Sequence, residues 1–422
     1  MMTIQEAIDY IENFTWSTSK MGLERTVELL ARMGNPQKLP RFVHVTGSNG
    51  KGSTCSMVAS VLTAAGLKTG MYISPHVCDF NERLQVNGQY ITDDELAEIT
   101  DYVSTIADAM EDHPSQFELV TAIGMEFFKR RGCDLVMLEV GMGGLLDSTN
   151  VIDAPLVAAF TNIGLEHTEY LGNTLEEIAI TKGGIIKPGC FVVCYESEPE
   201  VVETLRKISS NQGATFTTAG RRQIESISTS LTGQKFRYQE QEYEIRLLGD
   251  HQLSNAAVAL GIIDALRKKG VDIPEVAVKS GLAAARWPAR FEVLKQEPLF
   301  ILDGGHNPQC AEALVKALEQ YLPGEKVTFL TGVLADKDYK LIVDLIAPFA
   351  SRCICVSPPN PRALDASSYA EAFRQAGIEA EAYDSVAKGT EEALKEQGPV
   401  VAFGSLYMAG EIRAMVLGGS HD

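Results

Sequence analysis

A glycine-rich turn between a strand-like and a helix-like segment constrains this chain more than any other feature. The run Val45-Thr46-Gly47-Ser48-Asn49-Gly50-Lys51-Gly52-Ser53-Thr54 follows RFVHVT (41–46), which is rich in β-branched and aromatic residues, and leads into helical character from Ser53 to Ala65. Strand, tight turn and helix is the context in which such a loop wraps a phosphate. Glycines let backbone N–H groups turn inward, and the helix N-terminus adds positive potential. In this reading Gly47, Asn49, Gly50, Lys51, Gly52 and Ser53 bind a nucleotide. Lys51 offsets charge on the β- and γ-phosphates, and Ser53 supplies a hydroxyl. The spacing departs from GxxxxGK[ST], because the first glycine is Gly47 and Gly52 intervenes before Ser53. A glycine-rich turn without nucleotide chemistry is the competing reading.

The segments that follow keep the same rhythm. TGMYIS (69–74), DLVMLEV (134–140), PLVAAFT (155–161) and CFVVCY (190–195) read as strands alternating with helical stretches. That pattern predicts βαβ units and a mainly parallel sheet covered on both faces. Thr3 with Glu6 makes a capping-box start for a first helix, and 22–33 reads as a second. Asn87-Gly88 marks a hairpin turn. Residues 222–247 alternate polar and apolar, with a turn at Thr232-Gly233, and predict a small antiparallel unit before a helix near 251–269. From Leu299 a second α/β rhythm begins with LFILDG, KVTFLTG, RCICVS and PVVAFG. The expected fold is therefore α/β. An N-terminal P-loop ATPase-type domain with a mainly parallel sheet (1–296) precedes a smaller Rossmann-like α/β domain (297–422).

Composition narrows the partners. The formal net charge is -19, and such a surface repels nucleic acid and anionic lipid. No apolar run approaches the ~18 residues of a membrane-spanning helix, and the N-terminus is acidic and amphipathic, unlike a signal peptide. Eight scattered cysteines without a CxxC pair predict buried reduced thiols and a cytoplasmic location.

The variant loop TGSNGKGS resembles that of the Mur ligase and folylpolyglutamate synthase superfamily. Further segments resemble folylpolyglutamate synthase and dihydrofolate synthase in the same order. They include SPH (74–76), NERLQVNG (81–88), FELVTA (117–122), LEVGMGGLLDSTN (138–150), NIGLEHTEYLG (162–172), TKGGIIK (181–187), GDHQLSNAAVAL (249–260), RWPARFE (286–292), LDGGHNP (302–308) and GSLYMAGEI (404–412). The resemblance thus spans nearly the whole chain. The 46 residues before Gly47 leave no room for the nucleotide-sugar domain of Mur ligases, which points to the folate branch.

The resemblance implies a set of roles. Ser74, Glu139 and His167 would hold Mg²⁺, with Lys182 carbamylated; Lys51, His167 and Lys182 would serve the chemistry. Asn255, Arg290, Asp303 and His306 would contact ATP between the domains. Asn81, Arg83 and Phe117 would face the folate. Read from the residues alone, Glu139 ends an apolar strand, where ligands of parallel sheets gather, or is a solvated strand end. Lys182 alone is a surface helix lysine, Phe117 a helix-core residue, and His306-Asn307 a helix cap before Pro308. Two positions depart from the family's usual pattern: Glu166 replaces an Asp before the histidine, and TKGGI replaces EKAGI. Leu145 stands where bifunctional relatives commonly carry arginine.

The implied reaction transfers the γ-phosphoryl group of ATP to a folate-side carboxylate, after which the amine of L-glutamate displaces phosphate. ATP, a reduced folate and L-glutamate would be the small-molecule partners of a monomer. The runner-up adds glutamate to dihydropteroate. Of another class, a P-loop kinase leaves Asn255, Arg290 and the second domain unexplained. A GTPase would need an NKxD motif, which the chain lacks. A non-catalytic nucleotide-binding protein would not need both Lys51 and Glu139. Lys51→Ala is expected to abolish ATP-dependent turnover while circular dichroism and the melting midpoint stay those of the parent; retained turnover would remove the central role given to Lys51.

Overall fold

In a computed structural model the protein is described over residues 2–14, 22–39 and 41–418. The strands are β1 (Arg41–Thr46), β2 (Thr69–Tyr72), β3 (Leu84–Val86), β4 (Gln89–Tyr90), β5 (Leu135–Glu139), β6 (Val157–Phe160), β7 (Phe191–Tyr195), β8 (Thr215–Ala219), β9 (Ile224–Ser230), β10 (Gly233–Tyr238), β11 (Gln241–Ile245), β12 (Glu292–Gln296), β13 (Leu299–Asp303), β14 (Val327–Thr331), β15 (Ala350–Val356), β16 (Ala380–Tyr383) and β17 (Val400–Phe403). They form an eight-stranded sheet in the order β4-β3-β2-β5-β1-β6-β7-β8, a three-stranded sheet β11-β10-β9, and a six-stranded sheet β12-β13-β17-β14-β15-β16.

The large sheet is parallel from β2 through β8, and only β3, paired with β2 and, across the Asn87-Gly88 turn, with β4, runs against it. Its central strands are near-continuous apolar runs because both faces are buried, whereas the outer strands β4 and β8 are polar and more exposed. Val43, Val45, Leu135 and Met137 pack under helices Lys51–Ala64 and Asp250–Lys268. Phe42, Val136 and Leu138, one residue out of phase, pack under helices Asp93–Ala107 and Gln116–Arg131. Period-two alternation thus divides one strand between two cores. The antiparallel sheet turns Phe236, Tyr238, Tyr243 and Ile245 into the first of these cores and leaves most of β9 exposed.

The second sheet has its own core, around Ile301, Phe329, Cys353, Tyr369 and Phe373. It is parallel except for the edge strand β12, which pairs antiparallel with β13. That hairpin spans the division expected at 296/297, so Glu292–Gln296 already belongs to the second sheet. The turn of the hairpin is Glu297-Pro298, and the polar end of β12 faces water as an edge strand does. All eight cysteines are free; six are buried, Cys310 is half-buried and Cys78 is exposed. Among the described residues no helix is long and apolar enough to cross a membrane.

One buried ion pair joins the N-terminal helices to this frame. Arg25, on helix Glu24–Arg32, donates through Nε to both carboxylate oxygens of Glu118 at 3.2 and 3.0 Å. Glu118 also accepts from Thr26 Oγ1 and from the backbone and hydroxyl of Ser115. Both charged side chains are almost fully covered. Removing one partner of such a pair costs far more than forming it contributes. Glu118→Ala is expected to lower unfolding stability by about 3 kcal/mol in urea melts, with Glu118→Gln losing less; a change within error for both would show that the pair does not anchor these helices.

Candidate active site

Strand register builds the site. β1 lies between β5 and β6, with Val45 opposite Glu139 and Thr46 opposite Phe160. The glycine-rich loop leaving β1 is therefore flanked by the last residue of β5 on one side and by Thr161–His167, after β6, on the other. Ser48 N donates to Asn162 O at 2.7 Å, and the Ser48 hydroxyl exchanges hydrogen bonds with the backbone of Gly164. Lys51 opens helix Lys51–Ala64, and its Nζ donates to the carbonyls of Gly47 (2.8 Å) and Ser48 (3.3 Å). The loop thus folds around its own lysine at the N-terminus of the helix, where anions are favoured.

Gly52, the residue that broke the usual spacing, lies against the ring of Trp287, and a Cβ there would overlap the indole. No local signal in the sequence announced this contact. Ser53 is buried, and its hydroxyl accepts from Gln252 Nε2 at 3.3 Å; Gln252 in turn accepts from Asn255 Nδ2 at 3.0 Å. Asn255 also lies directly against Gly50. It therefore acts on the loop itself, partly through Gln252, which sequence reasoning did not single out.

Glu139 is buried, and burial lifts its carboxyl to about 7 against the pull of Lys51, Ser74 N and Arg290. Among the described residues its one hydrogen bond comes from Ser74 N at 3.3 Å. A buried carboxylate this short of partners suits a divalent cation, whose charge would restore its ionised form. Ser74 and Glu139 are thus brought together. His167 stands on the other wall, where it feels Glu166, Lys182 and Lys51; burial lowers its pKa and keeps the imidazole neutral, the form that ligates metal. Among the described residues no three His, Cys, Asp or Glu side chains gather as a ready metal cluster.

Lys182 is not a surface residue. It is 1% exposed, on the face of helix Leu175–Gly183 that also buries Ile178 and Ala179. Its ammonium meets Glu166 at 3.0 Å. Burial pulls Lys182 down to about 8, with Glu166 opposing. Burial also raises Glu166, but Lys182 and Lys51 outweigh it and leave the carboxyl below its ordinary value. The longer acid at position 166 therefore reaches the buried lysine.

From the second domain, Arg290 sits between two non-glycine residues of positive φ, Ala289 (53°) and Phe291 (44°). Such backbone costs about 1–3 kcal/mol per residue and persists only where neighbours enforce it. Here Asp303 accepts from Phe291 N (2.9 Å) and Gly305 N (2.7 Å), Glu292 accepts from Ala289 N, and Gly304 N donates to Ala289 O. Asp303 thus shapes the backbone that aims Arg290. Asn307 caps helix Pro308–Tyr321 by accepting from Cys310 N, while His306 Nδ1 lies 3.2 Å from Gly304 O. Gln309, at the start of that helix, accepts from the loop residue Asn49 at 3.2 Å, a cross-domain contact.

On the expected acceptor side, Phe117 packs its ring tip on Gly141, in the loop after β5, and meets Tyr72 edge-on. Asn81 donates to Asp93, and Arg83 donates through Nε to His76 Nδ1 at 2.9 Å.

Known proteins resemble this chain over nearly its whole length. Residues 45–263 match the Mur ligase middle domain, and residues 289–406 match the Mur ligase glutamate ligase domain. The folylpolyglutamate synthase of Lacticaseibacillus casei is 34% identical, over 99% of this chain and 100% of its own. The dihydrofolate synthase/folylpolyglutamate synthase of Bacillus subtilis is 34% identical, over 97% and 98% respectively. The crystal structure of Mycobacterium tuberculosis folylpolyglutamate synthase complexed with ADP and AMPPCP superposes with a TM-score of 0.88 at 26% identity, covering 98% of both chains.

The Gly52–Trp287 contact generates a test. Gly52→Ala is expected to weaken ATP binding by about tenfold in calorimetry, as overpacking shifts the loop. Adding Trp287→Ala should recover part of that loss; additive effects would show that the two residues are not coupled.

Proposed function

The chain belongs to the folylpolyglutamate synthase/dihydrofolate synthase family of Mur ligases, and from that premise we propose how its own residues perform the ligation. It is an ATP-dependent acid–amino-acid ligase that adds L-glutamate to the glutamyl carboxylate of a folate through an acyl phosphate. The observation that carries the assignment of roles is the convergence on Lys51, whose charge is felt by Glu139, Glu166, His167 and Lys182 at once.

The loop 47–53 binds the ATP phosphates through backbone N–H groups, and Lys51 turns from the carbonyls of Gly47 and Ser48 to the β- and γ-oxygens. Arg290 reaches the same phosphates from the second domain, with Asp303 holding its backbone and His306 beside it. Ser74, Glu139 and His167 would hold Mg²⁺, with Lys182 and Glu166 behind them. Bound there, the ion supplies positive charge to the phosphate oxygens during transfer. Asn81, Arg83 and Phe117 orient the folate, a reduced folate in this reading, so that its carboxylate oxygen attacks the γ-phosphorus in line. ADP leaves, the amine of glutamate attacks the acyl carbon, and phosphate departs from the tetrahedral intermediate. Positive groups already in place where charge develops contribute most to such steps. The hydrogen bond from Asn49 to Gln309 ties the nucleotide loop to the second domain. Eight free, mostly buried thiols fit a reducing, cytoplasmic setting.

Purified protein with Mg²⁺, ATP and labelled glutamate is expected to lengthen tetrahydrofolate. A parallel reaction with dihydropteroate measures the second activity carried in the name of the Bacillus subtilis relative. No incorporation with either acceptor, while ATP still binds, would sink the ligase assignment.

A further inference from the structure

Residues 74–83 run from Ser74 to Arg83 along the mouth of the site, and their shape depends on one side chain assigned no role so far. Glu82 is 5% exposed, and among the described residues no cation pairs with it. Its carboxylate instead accepts three consecutive backbone N–H groups: Val77 at 2.7 Å, Cys78 at 3.0 Å and Asp79 at 3.1 Å. The Asp79 contact is the ordinary reciprocal cap of the short turn Phe80–Arg83. The Val77 and Cys78 contacts go beyond it and fold the preceding segment back onto the turn. Hydrogen bonds to an ionised acceptor are the strong kind, and three of them hold a loop that belongs to no strand or helix.

Two features show what the fold of this loop serves. Arg83 lies over the Phe80 ring at 5.0 Å and donates through Nε to His76 Nδ1, yet neither of its Nη atoms has a protein hydrogen-bond partner among the described residues. A guanidinium only donates, so His76 Nδ1 accepts and the ring's own donor is Nε2–H. Burial pulls Arg83 below its ordinary value, with Tyr72, Glu12 and Tyr407 opposing, and among the described residues no carboxylate forms an ion pair with it. Free N–H groups on a half-buried guanidinium fit an anionic ligand of forked geometry, that is, a carboxylate. On the opposite side, Gly410 of helix Leu406–Val416 approaches so closely that a Cβ would come within 2.8 Å of Val77 O and Cys78 Cα. The stretch that Glu82 holds is therefore also where the second domain rests.

We infer that Glu82 is a positioning residue for the acceptor substrate: by fixing the N–H groups of Val77, Cys78 and Asp79 it presents the Arg83 fork, steadied by His76, to a carboxylate of the folate. This rests on the ligase reading above. Glu82→Ala leaves three N–H groups without their acceptor, whereas Glu82→Gln keeps one acceptor oxygen.

Calorimetry with folate and, separately, with ATP on the full chain tests the inference, together with steady-state kinetics. Glu82→Ala is expected to weaken folate binding and raise its KM by about tenfold, with kcat and ATP affinity within about twofold of the parent. Glu82→Gln should fall between the two, and it carries the test if the alanine variant fails to fold. Hydrogen exchange should quicken at the amides of 77–79 and not in the core strands. Unchanged folate affinity in the glutamine variant, or folate and ATP affinities falling in parallel, would overturn the role of Glu82. A parent protein that binds ATP but no folate would instead overturn the ligase reading on which the role rests.

Discussion

Everything chemical in this protein hangs on how β1 is paired. Its backbone hydrogen-bonds to β5 on one side and β6 on the other, in a register that sets Val45 beside Glu139 and Thr46 beside Phe160. Because side-chain direction alternates along a strand, a slip of one residue would exchange the two cores above and below the sheet. The same slip would carry Glu139 away from the loop that holds Lys51. Two apolar cores therefore fix the position of one lysine and one carboxylate without touching either. The site is paid for by packing that is remote from it.

The charges gathered there are held in a way that open water would not allow. Glu139 is raised to about 7 and Lys182 lowered to about 8, both by burial. Each thus stands near the point at which it can change charge state when a ligand brings charge of its own. Glu166 and Lys51 keep the neighbourhood balanced. A chain of net charge -19 can accept a polyanionic nucleotide only if such local groups outweigh the general field, and Lys51, Lys182 and Arg290 form that minority.

Much of this was legible in the sequence, and the parts that were not share a cause. The loop, its flanking strand and helix, and the central strands of both sheets follow from local pattern, because an apolar run bounded by glycine and polar turns has few other uses; the outer strands β8, β12 and β16 are shorter of apolar residues and were not singled out. Lys182, which by itself reads as a surface lysine and was given a role only by the resemblance, is buried. Its spacing from Ile178 and Ala179 places it on their buried face, but a lysine there looks wrong until Glu166 is known to be near. Trp287 on Gly52 and Gln252 on Ser53 join residues far apart in the chain, and no local pattern encodes such contacts. The pairing of β12 with β13 was likewise not legible, because the turn between them has the composition of a linker.

The indole that presses on the nucleotide loop has a further use. The chain holds two tryptophans, and Trp287 is one of them. Its ring touches Gly52, beside the lysine and the serine expected to meet phosphate. A phosphate entering the loop is expected to alter the polarity and rigidity around that ring, and with them the tryptophan emission. Loading of the site can then be followed in real time, without a label or a coupled reaction.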